Sequence, residues 1–132
     1  MTTRFLLDAN LLIALTVAEH AHHERASAWF AGVEQAAVCP IVEGALLRFL
    51  VRLGVPASSV RAMLLALHDD PRIELWSESL SYTEVELGHV IGHRQVTDAY
   101  LAALARHHRG RLATLDEALH AALPEATLLV PR

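Results

Sequence analysis

The chain has 132 residues, of which 53% are hydrophobic and 20% charged, with a formal net charge of −4. That is the length of one domain, residues 1–132, with enough apolar chain to build a core, which excludes intrinsic disorder. The acidic balance argues against a protein that grips nucleic acid by bulk positive charge, and the lone Cys39 excludes both an intrachain disulfide and a cysteine-rich zinc framework.

The opening MTTRFLLDANLLIALTVA imitates a secretory signal, but Asp8 and Asn10 interrupt its apolar region, so it reads as structure rather than address. Leu11 to Ala18 falls far short of the ~20 apolar residues that span a bilayer. The expectation is a cytoplasmic protein with no membrane partner.

Arg4 to Leu7 reads as a short strand, Asp8 as a polar tip, and Leu11, Leu12 and Leu15 as one face of a first helix. His20 to Phe30 gives a second helix stopped by Gly32. Ala36 to Cys39 is a strand, and Pro40 starts a helix with Glu43, Leu46, Leu47 and Leu50 on one stripe. Gly54 ends that helix, and Ser58 or Ser59 caps the next, which runs to about His68. Asp70-Pro71 breaks the pattern before a strand from Ile73 to Trp76. Tyr82 to Val90 reads as helical and Gly92 centres a loop. Thr97 caps a helix to about His108, followed by a strand from Leu112 to Thr114, a short helix after Asp116 and a last strand from Leu128 to Val130. Short apolar strands alternating with helices imply parallel neighbours joined by helical crossovers, hence a three-layer α/β/α sandwich with a central parallel sheet.

In such sheets ligands gather beyond the carboxyl ends of the strands, where Asp8 and Asp116 both fall. Glu43 lies on the apolar stripe of its helix, and a buried charge is costly unless paired or metal-bound. Asp98 sits one turn before Leu101 and Ala102 and leans toward the packed face. Four converging carboxylates repel one another and call for a cation; hard oxygen ligands suit Mg²⁺ or Mn²⁺, and the chemistry such ions support is phosphodiester hydrolysis.

Taken singly, these residues have structural readings too. Asp98 in a first helical turn is favoured by the helix dipole, and Thr114 with Glu117 matches a capping box that takes Asp116 as a first-turn acid. Asp8 can cap a helix, Arg48 can pair with Glu43, and Asn10 can cap or can orient a carboxylate or a water. Arg48 with Arg52, and the cluster Arg106, Arg109 and Arg111, leave room for a basic rim beside an acidic centre.

Asp8-Ala9-Asn10, Glu43 after Pro40 with Arg48 following, the stretch GHRQVTDAYLAALA and Thr114-Leu115-Asp116 together resemble a PIN domain, and more narrowly the VapC-type ribonuclease toxins of toxin-antitoxin pairs. The resemblance implies a metal-dependent endoribonuclease using Mg²⁺ or Mn²⁺, with Asp8, Glu43 and Asp98 as principal acids and Asp116 as the fourth. Asp8, Asp98 and Asp116 would hold the ion, Glu43 would add a ligand or position water, and Asn10 and Thr114 would take supporting positions. It also implies an RNA substrate, a cognate VapB-type antitoxin and a homodimer. Val42 and Gly44 depart from relatives that place a hydroxyl residue before the Glu and a polar one after it.

Two other classes stand beside this one. An aspartyl phosphoryl-transfer enzyme would use Asp8 as nucleophile, but it wants an acid where Asn10 stands and a Lys the chain lacks. An inactive interaction module would offer its acidic pocket to a partner's Arg. Zinc on His20, His22 and His23 with His107 and His108 lacks the HExxH spacing, while His89 or His93 could border a substrate.

Overall fold

The computed structural model describes residues 2–132, and its strands are short and parallel. β1 (Phe5–Leu7), β2 (Ala36–Val38), β3 (Ile73–Leu75), β4 (Arg111–Thr114) and β5 (Thr127–Leu129) form one sheet in the order β3-β2-β1-β4-β5. Leu6 pairs with Ala37 on one side and Leu112 on the other, so β1 is the central strand.

From β1 the chain builds outward through β2 to β3, then returns to place β4 and β5 on the other side. Right-handed crossovers therefore send the two sets of helices to opposite faces. α1 (Ala9–Thr16), α2 (His23–Ala31), α3 (Pro40–Arg52) and α4 (Ala57–His68) pack as one layer, α1 against α2 and α3, and α3 against α4. α5 (Gln95–His107) packs on β1 and β4, and α6 (Glu117–Ala122) on β4 and β5. The three-layer sandwich expected from the alternation of strands and helices is the architecture observed.

Leu11, Leu12, Ile13 and Ala14 are all buried, so α1 lies inside the molecule rather than on it. Leu6, Leu7 and Leu12 are fully buried, each contributing about 1.5–3 kcal/mol of transfer free energy. Gly110 is required by a close approach: a Cβ there would lie 2.2 Å from the Arg4 carbonyl oxygen, the acceptor of the Arg111 N–H that sets β1 beside β4. No helix among the described residues is long and apolar enough to cross a membrane.

Several local expectations are corrected. Tyr82 to Val90 is not a helix. One 3-10 turn, Tyr82–Glu84, closes on itself as Ser81 Oγ accepts from the Thr83 N–H and Glu84 Oε2 from the Ser81 N–H. The chain then runs extended at Val85; Val85 is buried while Leu87 is exposed, so the apolar spacing never gathers into one face. α5 starts at Gln95, two residues before Thr97, because the Gln95 side chain accepts from the Ile91 and Gly92 N–H groups and closes the turn itself. α4 begins at Ala57 behind Pro56, so neither Ser58 nor Ser59 caps it. Thr114 and Glu117 form no capping box: Asp116 is the N-cap of α6, its Oδ1 accepting from the Leu119 N–H.

Candidate active site

The strand order reverses between β1 and β4, and the loops leaving these two strands part there, which is where open parallel sheets bind ligands. Asp8 follows β1 and caps α1; Asp116 follows β4 and caps α6. A cap accepts backbone N–H groups at a helix start, so each carboxylate is held at the sheet edge by the turn that ends its strand. Asp98 arrives from the other direction, in the first turn of α5, the helix lying across β1 and β4.

Asp8 is only 5% exposed. Its Oδ1 accepts from the Ala9 N–H at 2.8 Å and its Oδ2 from the Thr114 hydroxyl at 2.7 Å. The Thr114 oxygen in turn accepts the Asp116 N–H at 3.0 Å. One buried hydroxyl thus ties the two strand-end acids into a single network. Burial pushes the Asp8 carboxyl up, the two hydrogen bonds oppose this, and the Asp116 charge adds to the rise. Burial also raises Asp98, to about 6, with Asp8 and then Asp116 contributing through charge repulsion. Three carboxylates therefore share one negative field, and a cation would relieve it.

Oxygen donors around a negative well fit Mg²⁺ or Mn²⁺ better than softer metals. No three His, Cys, Asp or Glu side chains among the described residues stand close enough to chelate a bare ion. The three aspartates are hard oxygen donors of the kind Mg²⁺ takes, but they do not form a closed three-ligand cage. Asp98 and Asp116 line a narrow cleft of about 80 Å³ together with Gln95 and His89.

The fourth acid is placed differently. Glu43, in the first turn of α3, has its Oε2 2.6 Å from His68 Nε2 at the end of α4. Neither Arg48 nor any other Arg among the described residues pairs with Glu43, and in this structure it does not join the three aspartates. His68 went unnoticed in the sequence as a partner, since the two residues are 25 positions apart and only the packing of α3 on α4 unites them. Val42 is fully buried in the core, which accounts for an apolar residue beside Glu43. Asn10 is exposed on α1 with no side-chain hydrogen bond among the described residues.

The Arg cluster does not form one rim. The Arg111 guanidinium bonds the Thr127 carbonyl along the sheet edge, Arg109 sits at the opposite end of the molecule with Arg4, and only Arg106 lies near the acidic cleft. Of the histidines weighed for zinc, His23 Nδ1 bonds the Ala14 carbonyl at 2.7 Å and locks α2 to α1, and His20 Nδ1 accepts the His22 N–H. Burial pushes the Cys39 thiol up to about 11, which removes it from thiolate chemistry.

The model of the PIN domain matches residues 5–123. Ribonuclease VapC29 of Mycobacterium tuberculosis is 50% identical over 127 residues, covering 96% of each chain. The chain belongs to the PIN-domain family, in its VapC-type branch. Ribonuclease VapC44 of the same organism is 39% identical over 134 residues, covering 94% of each chain. The fold is matched as well by a chain of a toxin-antitoxin complex from Klebsiella pneumoniae, at a TM-score of 0.70 and 20% identity over 96% of this chain and 98% of that one. In this VapC-type chain the aspartates at the β1 and β4 ends occupy the reversal point of the sheet, with Asp98 delivered by α5.

Proposed function

We propose that this protein, an endoribonuclease of the VapC type, hydrolyses RNA phosphodiester bonds with the help of Mg²⁺ or Mn²⁺ held by Asp8, Asp98 and Asp116. The observation that carries the reading is the mutual repulsion of these three carboxylates at the sheet's reversal point, with Asp98 raised to about 6. Bound there, the ion would activate a water and offset charge on the attacked phosphate.

The chain's own groups do the positioning. Thr114 fixes Asp8 by its hydroxyl and Asp116 by its backbone, so one residue positions both strand-end acids. The Ala9 N–H engages the second Asp8 oxygen and fixes the orientation of the carboxylate. Glu43 orients the attacking water; its carboxylate is tied to His68 here, so that part requires the pair to open. Asn10, exposed beside the Asp8 cap, takes a supporting polar position at that edge. The products carry a 5′ phosphate and a 3′ hydroxyl.

The likeness to named VapC ribonucleases and to a toxin-antitoxin complex supports a toxin held inactive by a cognate VapB-type antitoxin; a cytoplasmic location and a homodimer complete the proposal. Exposed Val51, Leu53 and Leu65 on α3, α4 and the turn between them supply apolar ground for such contacts.

End-labelled RNA incubated with antitoxin-free protein tests the reading. Scission with Mg²⁺ or Mn²⁺ that EDTA stops, that Asp8→Asn removes and that leaves 5′-phosphate ends is the expected result. Cleavage insensitive to EDTA and to the substitution would overturn it.

A further inference from the structure

Beside the acidic cleft lies a second, larger pocket of about 260 Å³ that the hydrolytic chemistry does not use. It opens between the 84–89 segment, the outer face of α5 and the end of α6. His89 lines both spaces, and Ala99, which follows Asp98 directly, lines the larger one. Whatever sits in the pocket is therefore a next-door neighbour of whatever sits against Asp98 and Asp116.

Its lining combines an apolar floor with opposed charges. Ala103 and Leu123 present flat apolar surface, and short side chains on α5 are what keep the space open. Glu86 and Arg106 share the pocket without forming an ion pair with each other, and neither side chain has a hydrogen-bond partner among the described residues. His89 Nε2 is buried with no partner. Buried polar atoms are normally satisfied, so an orphan at the junction of two clefts points to a ligand group.

We propose that this pocket receives an unpaired guanine base of the RNA next to the scissile phosphate. The inference rests on the nuclease reading above. Single-stranded RNA is recognised by splaying bases against apolar or planar surfaces and reading their edges. Guanine presents O6 and N7 as a paired acceptor edge, the usual partner of an Arg fork, and adjacent N–H donors that a carboxylate accepts. Arg106 reads the first edge, Glu86 the second, and the Ala103–Leu123 floor packs the ring.

Two readouts test this, one independent of cleavage. In amide NMR with EDTA present, GMP at millimolar concentration shifts signals around His89, Ala103 and Arg106 more than AMP, CMP or UMP does. Ala103→Leu, which fills the pocket and leaves Asp8, Asp98 and Asp116 unchanged, removes the shifts. In cleavage of RNA with a randomised loop, guanine is enriched at one position beside the cut on the order of tenfold, and Ala103→Leu flattens that preference while cutting persists. Should Ala103→Leu fail to fold, Arg106→Met removes the same preference. Metal-dependent cleavage with one base distribution in wild type and variant, and no GMP shifts at these amides, overturns the pocket and leaves the nuclease reading intact. GMP shifts without any RNA cleavage remove the nuclease reading and keep the pocket as a guanine site.

Discussion

Replacing Asp98 by Asn should stabilise the metal-free protein while disabling it. Burial and the charges of Asp8 and Asp116 raise the Asp98 carboxyl from 3.8 to about 6, so the folded state disfavours its ionised form. By linkage the carboxylate costs stability fully above pH ~6; the cost shrinks as pH falls through the window from 6 to 3.8 and vanishes below it. The shift corresponds to ~3 kcal/mol, which solvent screening of a half-buried group reduces to ~1–2 kcal/mol. Urea unfolding with EDTA at pH 7.5 should show Asp98→Asn more stable by that amount, with the difference mostly gone at pH 4. Added Mg²⁺ should narrow the gap by stabilising the wild type alone. An Asn variant no more stable at pH 7.5, or equally favoured at pH 4, would refute the claim that burial and neighbouring charge together disfavour an ionised Asp98.

Thr114→Val keeps the shape but strands Asp8 Oδ2 and the Asp116 N–H, both served by one fully buried hydroxyl, so stability should fall by ~1–3 kcal/mol in urea titration and cleavage should fall with it. Gly110→Ala sets a Cβ against the Arg4 carbonyl and should cost ~2 kcal/mol or more, read as a lowered thermal midpoint with the acidic cleft chemically untouched. His68→Ala breaks a partly exposed pair with Glu43 and should change stability by less than ~1 kcal/mol in the same titration.

The aspartate sites were legible in the sequence because their signals are local. Asp8 sits between two apolar runs, and the strand-then-acid pattern recurs at Asp116, so the rule for parallel sheets places both at one edge before any coordinates are known. Asp98 is legible from helical spacing against Leu101 and Ala102. The role of Thr114 as a clamp between two acids was not, since a capping motif explains the same residues and only the pairing of β1 with β4 brings its hydroxyl to Asp8. The Glu43–His68 pair depends on how α3 packs on α4, and no sequence period reports that. The 85–90 segment misled because its apolar residues imitate a helix, while Val85 is buried, Val90 only half-buried against the core and Leu87 left exposed. Its irregular path is what places His89 between the acidic cleft and the neighbouring pocket.

Whether Asp8, Asp98 and Asp116 together require a cation is decided by Mn²⁺ titration of wild-type protein beside folded Asp98→Asn. Saturable binding by the wild type that the Asn variant loses, at the pH where the variant is the more stable of the two, is expected. Equal Mn²⁺ binding by both proteins would contradict it.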